Sequence, residues 1–115
     1  MTIEPEDHDP IDPDVRGIAA RFGLDPKLLQ AVVTAEGNIL RAVQCSVPSV
    51  QTREKALDVL ARSCVHALRD FVHTSGLDDA FVHFWAARWA PLGATNDPRG
   101  LNKNWPGNVL TLWKA

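Results

Sequence analysis

Apolar residues along this chain recur every three or four positions, in blocks separated by Gly, Pro and Asn. The clearest block begins at Thr52. Leu57, Leu60, Ala61, Cys64, Leu68, Phe71 and Val72 form one stripe, which predicts a helix ended by Gly76. An earlier block places Leu28, Leu29, Val32 and Val33 on one face. Asp25-Pro26 opens it, because Asp is a good N-cap and Pro suits the first helical position. It runs to about Glu36, where Gly37 and Asn38 can end it. A shorter helix is expected from near Asp14 to Phe22, stopped by Gly23. Residues 39–43 read as a further turn and Val47-Pro48-Ser49 as a break. Asp78 or Asp79 caps a helix that runs to about Trp89. Pro106 opens a short last helix carrying Val109, Leu110, Leu112 and Trp113. No segment keeps a two-residue alternation and none repeats, so the chain predicts an all-α domain.

Between the last two predicted helices the pattern breaks down. Residues 88–108, RWAPLGATNDPRGLNKNWPGN, hold two Trp, four Asn and one Asp among three Pro and three Gly. Pro fixes φ and Gly permits positive φ, so the segment specifies a long, shaped loop. Loops of this length in a small domain are usually functional or disordered, and the Trp content argues against disorder. Aromatic faces beside amide groups suit a ligand that is part apolar and part hydroxyl-rich, of which sugars are the obvious class.

Length and charge narrow the class. The chain has 115 residues, enough for one domain with its own core. No apolar run approaches the ~20 residues that span a bilayer. The N-terminus, MTIEPEDHDP, is acidic and has no apolar h-region, so it does not read as a secretory signal. Synthesis in the cytoplasm is expected, with any action at a cell wall depending on release or on carriage by a particle. Residues 1–13 read as a flexible acidic arm ahead of a domain at 14–115. Net charge is −2, yet all twelve Lys and Arg follow residue 14; against the eight acids beyond that point they leave the body at +4. A mildly basic body fits an anionic polymer such as cell wall or nucleic acid, and equally an ordinary solvated surface. Cys45 and Cys64 default to reduced thiols, Cys64 as a core residue, with a Cys45–Cys64 bridge as the alternative after export.

Three sets of residues can carry chemistry. Glu36 continues the apolar face of the second helix. Burial there would disfavour its ionised form, as a general acid near neutral pH requires, and Gly37 leaves room for a substrate. The competing reading is a frayed helix end with Glu36 in water. The second set is Trp85, Trp89, Trp105 and Trp113 with Asn96, Asp97, Asn102, Asn104 and Asn108. Some of these Trp are expected in the core, and some of the polar residues in turns. The third is His66, His73 and His83. His66 and His73 are seven apart, whereas zinc ligands usually sit three or four apart with a third partner, so no metal is expected. No cofactor motif, no GxSxG elbow and no nucleic-acid signature is present.

IAARFGLDPKLLQAVVTAEGN, residues 18–38, resembles the opening of the lysozyme-like lytic transglycosylase superfamily, in which such a helix ends in the catalytic Glu. The stretch from CSVPSVQTREKAL through FVHFWAARWAPLGATNDPRGLNKNWPGNV is similar to small lysozyme-like modules of phage and prophage proteins. The resemblance covers about residues 14–115. It implies a compact lysozyme-like helical fold, peptidoglycan glycan strands as substrate, Glu36 as general acid/base and no cofactor. Other phage or virion proteins would be further partners. The chain departs from the usual pattern in three places. Gly37 stands where Ser usually follows the Glu, the GLMQ-type segment is absent, and there is no Tyr. Asn96, Asn102 or Trp105 is then expected to supply sugar contacts, with Asp97, Asn104 and Trp89 in the same substrate-binding set.

The acid count bears on mechanism. Lysozymes of the two-acid type supply an Asp shortly after the Glu. Here the seventeen residues after Glu36 contain no acid until Glu54. A single-acid, substrate-assisted cleavage with a 1,6-anhydro product fits better, and hydrolysis competes if Asp97 reaches the cleft. Two further readings stay open. One is the same fold as a non-catalytic wall-binding or virion structural module. The other is an unrelated helical protein-interaction domain.

Overall fold

A computed structural model describes residues 10–71, 79–94 and 97–115. Val72, His73, Gly76, Asp78, Asn96 and the first nine residues of the acidic arm lie outside the described residues. The described chain is all-α, in six helices: α1 Pro13–Phe22, α2 Pro26–Glu36, α3 Ile39–Gln44, α4 Arg53–Asp70, α5 Asp79–Trp89 and α6 Trp105–Lys114. There is no strand among the described residues, and no helix there is long and apolar enough to cross a membrane.

Local chemistry accounts for most of the boundaries. Gly23 ends α1 at φ 68°, and the Leu24 N–H returns to the Ala19 carbonyl. The Asp25 carboxylate accepts the Lys27 N–H at 2.9 Å, with Pro26 opening α2. Asn38 caps α3 through the Arg41 N–H and Thr52 caps α4 through the Lys55 N–H. The end of α4 differs from the expected one. The helix stops at Asp70, and Phe71 turns to extended backbone (φ −83°, ψ 97°). Its ring packs against Phe81 and Phe84 of α5, with centroids 5.4 and 5.2 Å away.

The core is continuous. Leu28, Leu29, Val32, Leu57, Leu60, Cys64, Phe81, Trp85 and Val109 are all but inaccessible. In the middle, α2 packs against α6 as well as against α1, while α4 lies against α1, α3 and α5. Trp85 fills the space between α4 and α6: it meets Trp105 edge-on at 5.6 Å and donates its indole N–H to Ser63 Oγ. Packing begins ahead of residue 14, since Ile11 is buried in the core. Arg53 reaches from α4 to both Asp12 (2.9 Å) and Asp14 (2.7 Å), while the Asp12 N–H donates to Gln30 of α2. This clasp sets the start of α1 against α2 and α4. The Arg53 guanidinium holds the Asp14 carboxyl below its usual range.

Candidate functional site

Glu36 is the last residue of α2 and Gly37 follows it at φ 78°, ψ −51°. That backbone suits glycine and strains any other residue. A Cβ at this position would meet nothing within 4 Å, so the space beside Glu36 is open. Here lies the physical reason for the Glu-Gly pair where the resemblance leads one to expect Glu-Ser. The helix must break immediately after the acid, and only glycine takes that turn freely.

The Glu36 side chain is half-buried and does not simply reach water. Its Oε2 accepts two indole N–H groups, from Trp89 at 2.8 Å and from Trp105 at 3.1 Å. Trp89 closes α5 and Trp105 opens α6, so one carboxylate oxygen ties the ends of three helices together. Oε1 takes no hydrogen bond among the described residues. The two donors come from residues 53 and 69 positions away in sequence.

Glu36 opens onto a cleft of about 620 Å³, within the usual range for a ligand site. Its walls are the end of α3 with Cys45 and Ser46, one side of α4 at Val59 and Ser63, the end of α5, and the loop that follows. A second concavity of about 530 Å³ lies between α1 and α4. Two of its three acids, Asp14 and Asp58, are already paired with Arg53 and Arg62, and the third, Glu54, is exposed on the first turn of α4, which makes it the weaker candidate for acid chemistry.

The expected site residues divide by position. Trp89, Asp97 and Asn102 line the cleft with Glu36. Asp97 spends both oxygens on backbone: Oδ1 accepts the Leu101 N–H at 2.9 Å and Oδ2 the Asn102 N–H at 2.8 Å. It thereby folds the 3₁₀ turn Leu101–Asn104 that leads into α6. The Asn102 amide donates to the Pro91 carbonyl at 2.9 Å and staples the two halves of the loop. Trp105 is only 6% exposed, with its N–H on Glu36 and its ring against Trp85. Asn104 is exposed, makes no cap bond and is not among the residues lining the cleft. Asn96 is outside the described residues.

Trp113 is half-buried and donates to Asp25 Oδ2, pinning α6 to the start of α2. His66 and His83 are exposed. Among the described residues no three His, Cys, Asp or Glu side chains converge on a metal position. Cys45 and Cys64 are both free. They sit in different settings, Cys64 sealed in the core and Cys45 exposed at the cleft, and no bridge joins them in this structure. Burial pushes the Cys64 thiol up to about 12.

Sequence reasoning missed Arg88, Cys45 and Ser63 as cleft residues. For Arg88 a signal was present: Phe84 and Arg88 are four apart on α5, and the guanidinium lies 4.8 Å from the Phe84 ring centroid. For Cys45 and Ser63 there was none, since only the tertiary fold brings α3 and α4 to the same wall. Comparison of the chain with protein-family models, with curated proteins and with solved structures returns no match.

Proposed function

We propose that this protein binds the glycan strand of bacterial peptidoglycan and cleaves it between N-acetylmuramic acid and N-acetylglucosamine, with Glu36 as the only general acid/base. The observation that carries the reading is the double indole bond. It fixes one oxygen of a half-buried acid and leaves the other unbonded at the edge of a cleft of ligand size. In this reading Glu36 gives its proton to the glycosidic oxygen as the C1–O bond breaks. It then takes the proton of the N-acetylmuramic acid 6-hydroxyl as that oxygen closes on C1. The product is a 1,6-anhydro sugar, no water is consumed, and Glu36 ends protonated for the next cycle. Asp97 supports the single-acid form of the reaction, because two backbone N–H groups already occupy its carboxylate. Asn102 and the edge of Trp89 supply polar and aromatic contact along the cleft. Action would be at the cell wall, after release or carriage by a phage particle.

A second reading is favoured by the same bonds: a carboxylate joining three helix ends would also be retained in a wall-binding or virion structural module without turnover. Purified protein, wild type and Glu36→Gln, incubated with peptidoglycan separates the two. Release of fragments lighter by one water than hydrolysis products, lost in Glu36→Gln, supports cleavage by transglycosylation. Binding without any release supports the module.

A further inference from the structure

Among the described residues that line the cleft Arg88 is the only cation, and its surroundings hold it in place. The guanidinium rests 4.8 Å from the Phe84 ring centroid, and its Nη1 donates to Asp70 Oδ2 at 2.8 Å. Asp70 also accepts from Arg69 Nε at 3.2 Å. Two guanidiniums share one carboxylate, so the group keeps a surplus positive charge, and Arg88 is its cleft-side member. Nε and Nη2 of Arg88 make no hydrogen bond among the described residues. A planar fork with free N–H donors matches a carboxylate, and pre-organisation reduces what is lost on binding. A neutral polymer of N-acetylglucosamine offers this group nothing. A strand whose alternate sugars carry a carboxylate-bearing substituent does.

We infer that Arg88 is a specificity residue that reads a carboxylate on the muramyl unit, and so selects peptidoglycan strands over neutral chitin-type strands. The inference rests on the glycan reading of the same cleft. The carboxylate is either that of the lactyl ether itself or one on the attached peptide.

Binding tests it without turnover. Calorimetric titrations in a Glu36→Gln background compare chitotetraose, a muramyl tetrasaccharide with free lactyl groups, and the same tetrasaccharide carrying stem peptides. Arg88→Met is expected to weaken one or both muramyl ligands roughly tenfold and leave chitotetraose unchanged. Arg88→Lys, which keeps the charge and loses the fork, should fall between. Arg62→Met, a charge-matched change on the other side of α4, should alter none of the three. A loss confined to the peptide-bearing ligand places the carboxylate on the peptide; a loss with the free lactyl ligand places it on the ether. Equal weakening of all three ligands by Arg88→Met, or no weakening of any, overturns the Arg88 inference and leaves the glycan reading standing. If the background protein binds none of the three ligands, the glycan reading fails and the inference fails with it.

Discussion

Catalytic carboxylates usually cost their folds stability, so removing one commonly stabilises a protein. Glu36 should behave in the opposite way. In Glu36→Ala the Trp105 N–H, in a residue only 6% exposed, loses its sole acceptor among the described residues. A buried donor left unsatisfied costs about 1–3 kcal/mol. Trp89 is half-buried at the cleft and regains water, so its share is under about 1 kcal/mol. The loss should total about 1–4 kcal/mol, against a typical domain stability of about 5–15 kcal/mol. Glu36→Gln differs in a defined way. Its amide oxygen takes the place of Oε2 and accepts both indoles, so neither donor is left unpaired and the loss should stay under about 1 kcal/mol. Urea unfolding at neutral pH, followed by helix circular dichroism, measures both. The expected order is wild type, then Gln, then Ala, with unchanged m-values. An Ala variant as stable as wild type would refute the claim that Glu36 holds the three helix ends.

Three other outcomes follow from separate parts of the structure. Ellman's reagent should titrate one thiol in the native protein, the exposed Cys45, and a second only on unfolding, because Cys64 is inaccessible and its thiol is pushed up to about 12. Gly37→Ser, which restores the commoner residue of the resemblance, should lower stability by about 1–2 kcal/mol, since φ 78° and ψ −51° strain any side chain. The Asp14 carboxyl is depressed from its usual 3.8 by Arg53, so its contribution is fully present above pH 3.8 and is lost as pH falls through the lower folded-state value. Arg53→Met should therefore flatten the acid limb of a stability-against-pH curve in that window. At neutral pH, where the pair is solvent-screened, it should cost under about 1 kcal/mol.

What the sequence made legible was local. Asp25-Pro26, Gly23 and Thr52 each act within four residues, through a cap bond or a left-handed turn, and each falls where the chain pattern places it; Asn38, read as an end of α2, instead caps α3. The end of α4 was not legible. Phe71 is no helix breaker, and the turn there accompanies ring packing on α5. The same division runs through the site. Glu36 stood out because an acid ended an apolar stripe. The pairing of Glu36 with Trp89 and Trp105 crosses 53 and 69 residues, and no spacing rule reports it. Asp97 read equally well as a turn residue and as a cleft acid. Its two backbone bonds account for the turn, and its place on the cleft wall for the other half of the reading.

The central claim is that Glu36 moves the proton in a single-acid cleavage. The most direct measurement is the rate and product mass of peptidoglycan digestion by wild-type protein and by Glu36→Gln, after unfolding curves have established that both are folded. Wild type should release 1,6-anhydro fragments, and Glu36→Gln should be slower by about 100-fold or more, the usual contribution of a general acid. Equal rates from the two proteins, or no fragments from wild type, would contradict the account.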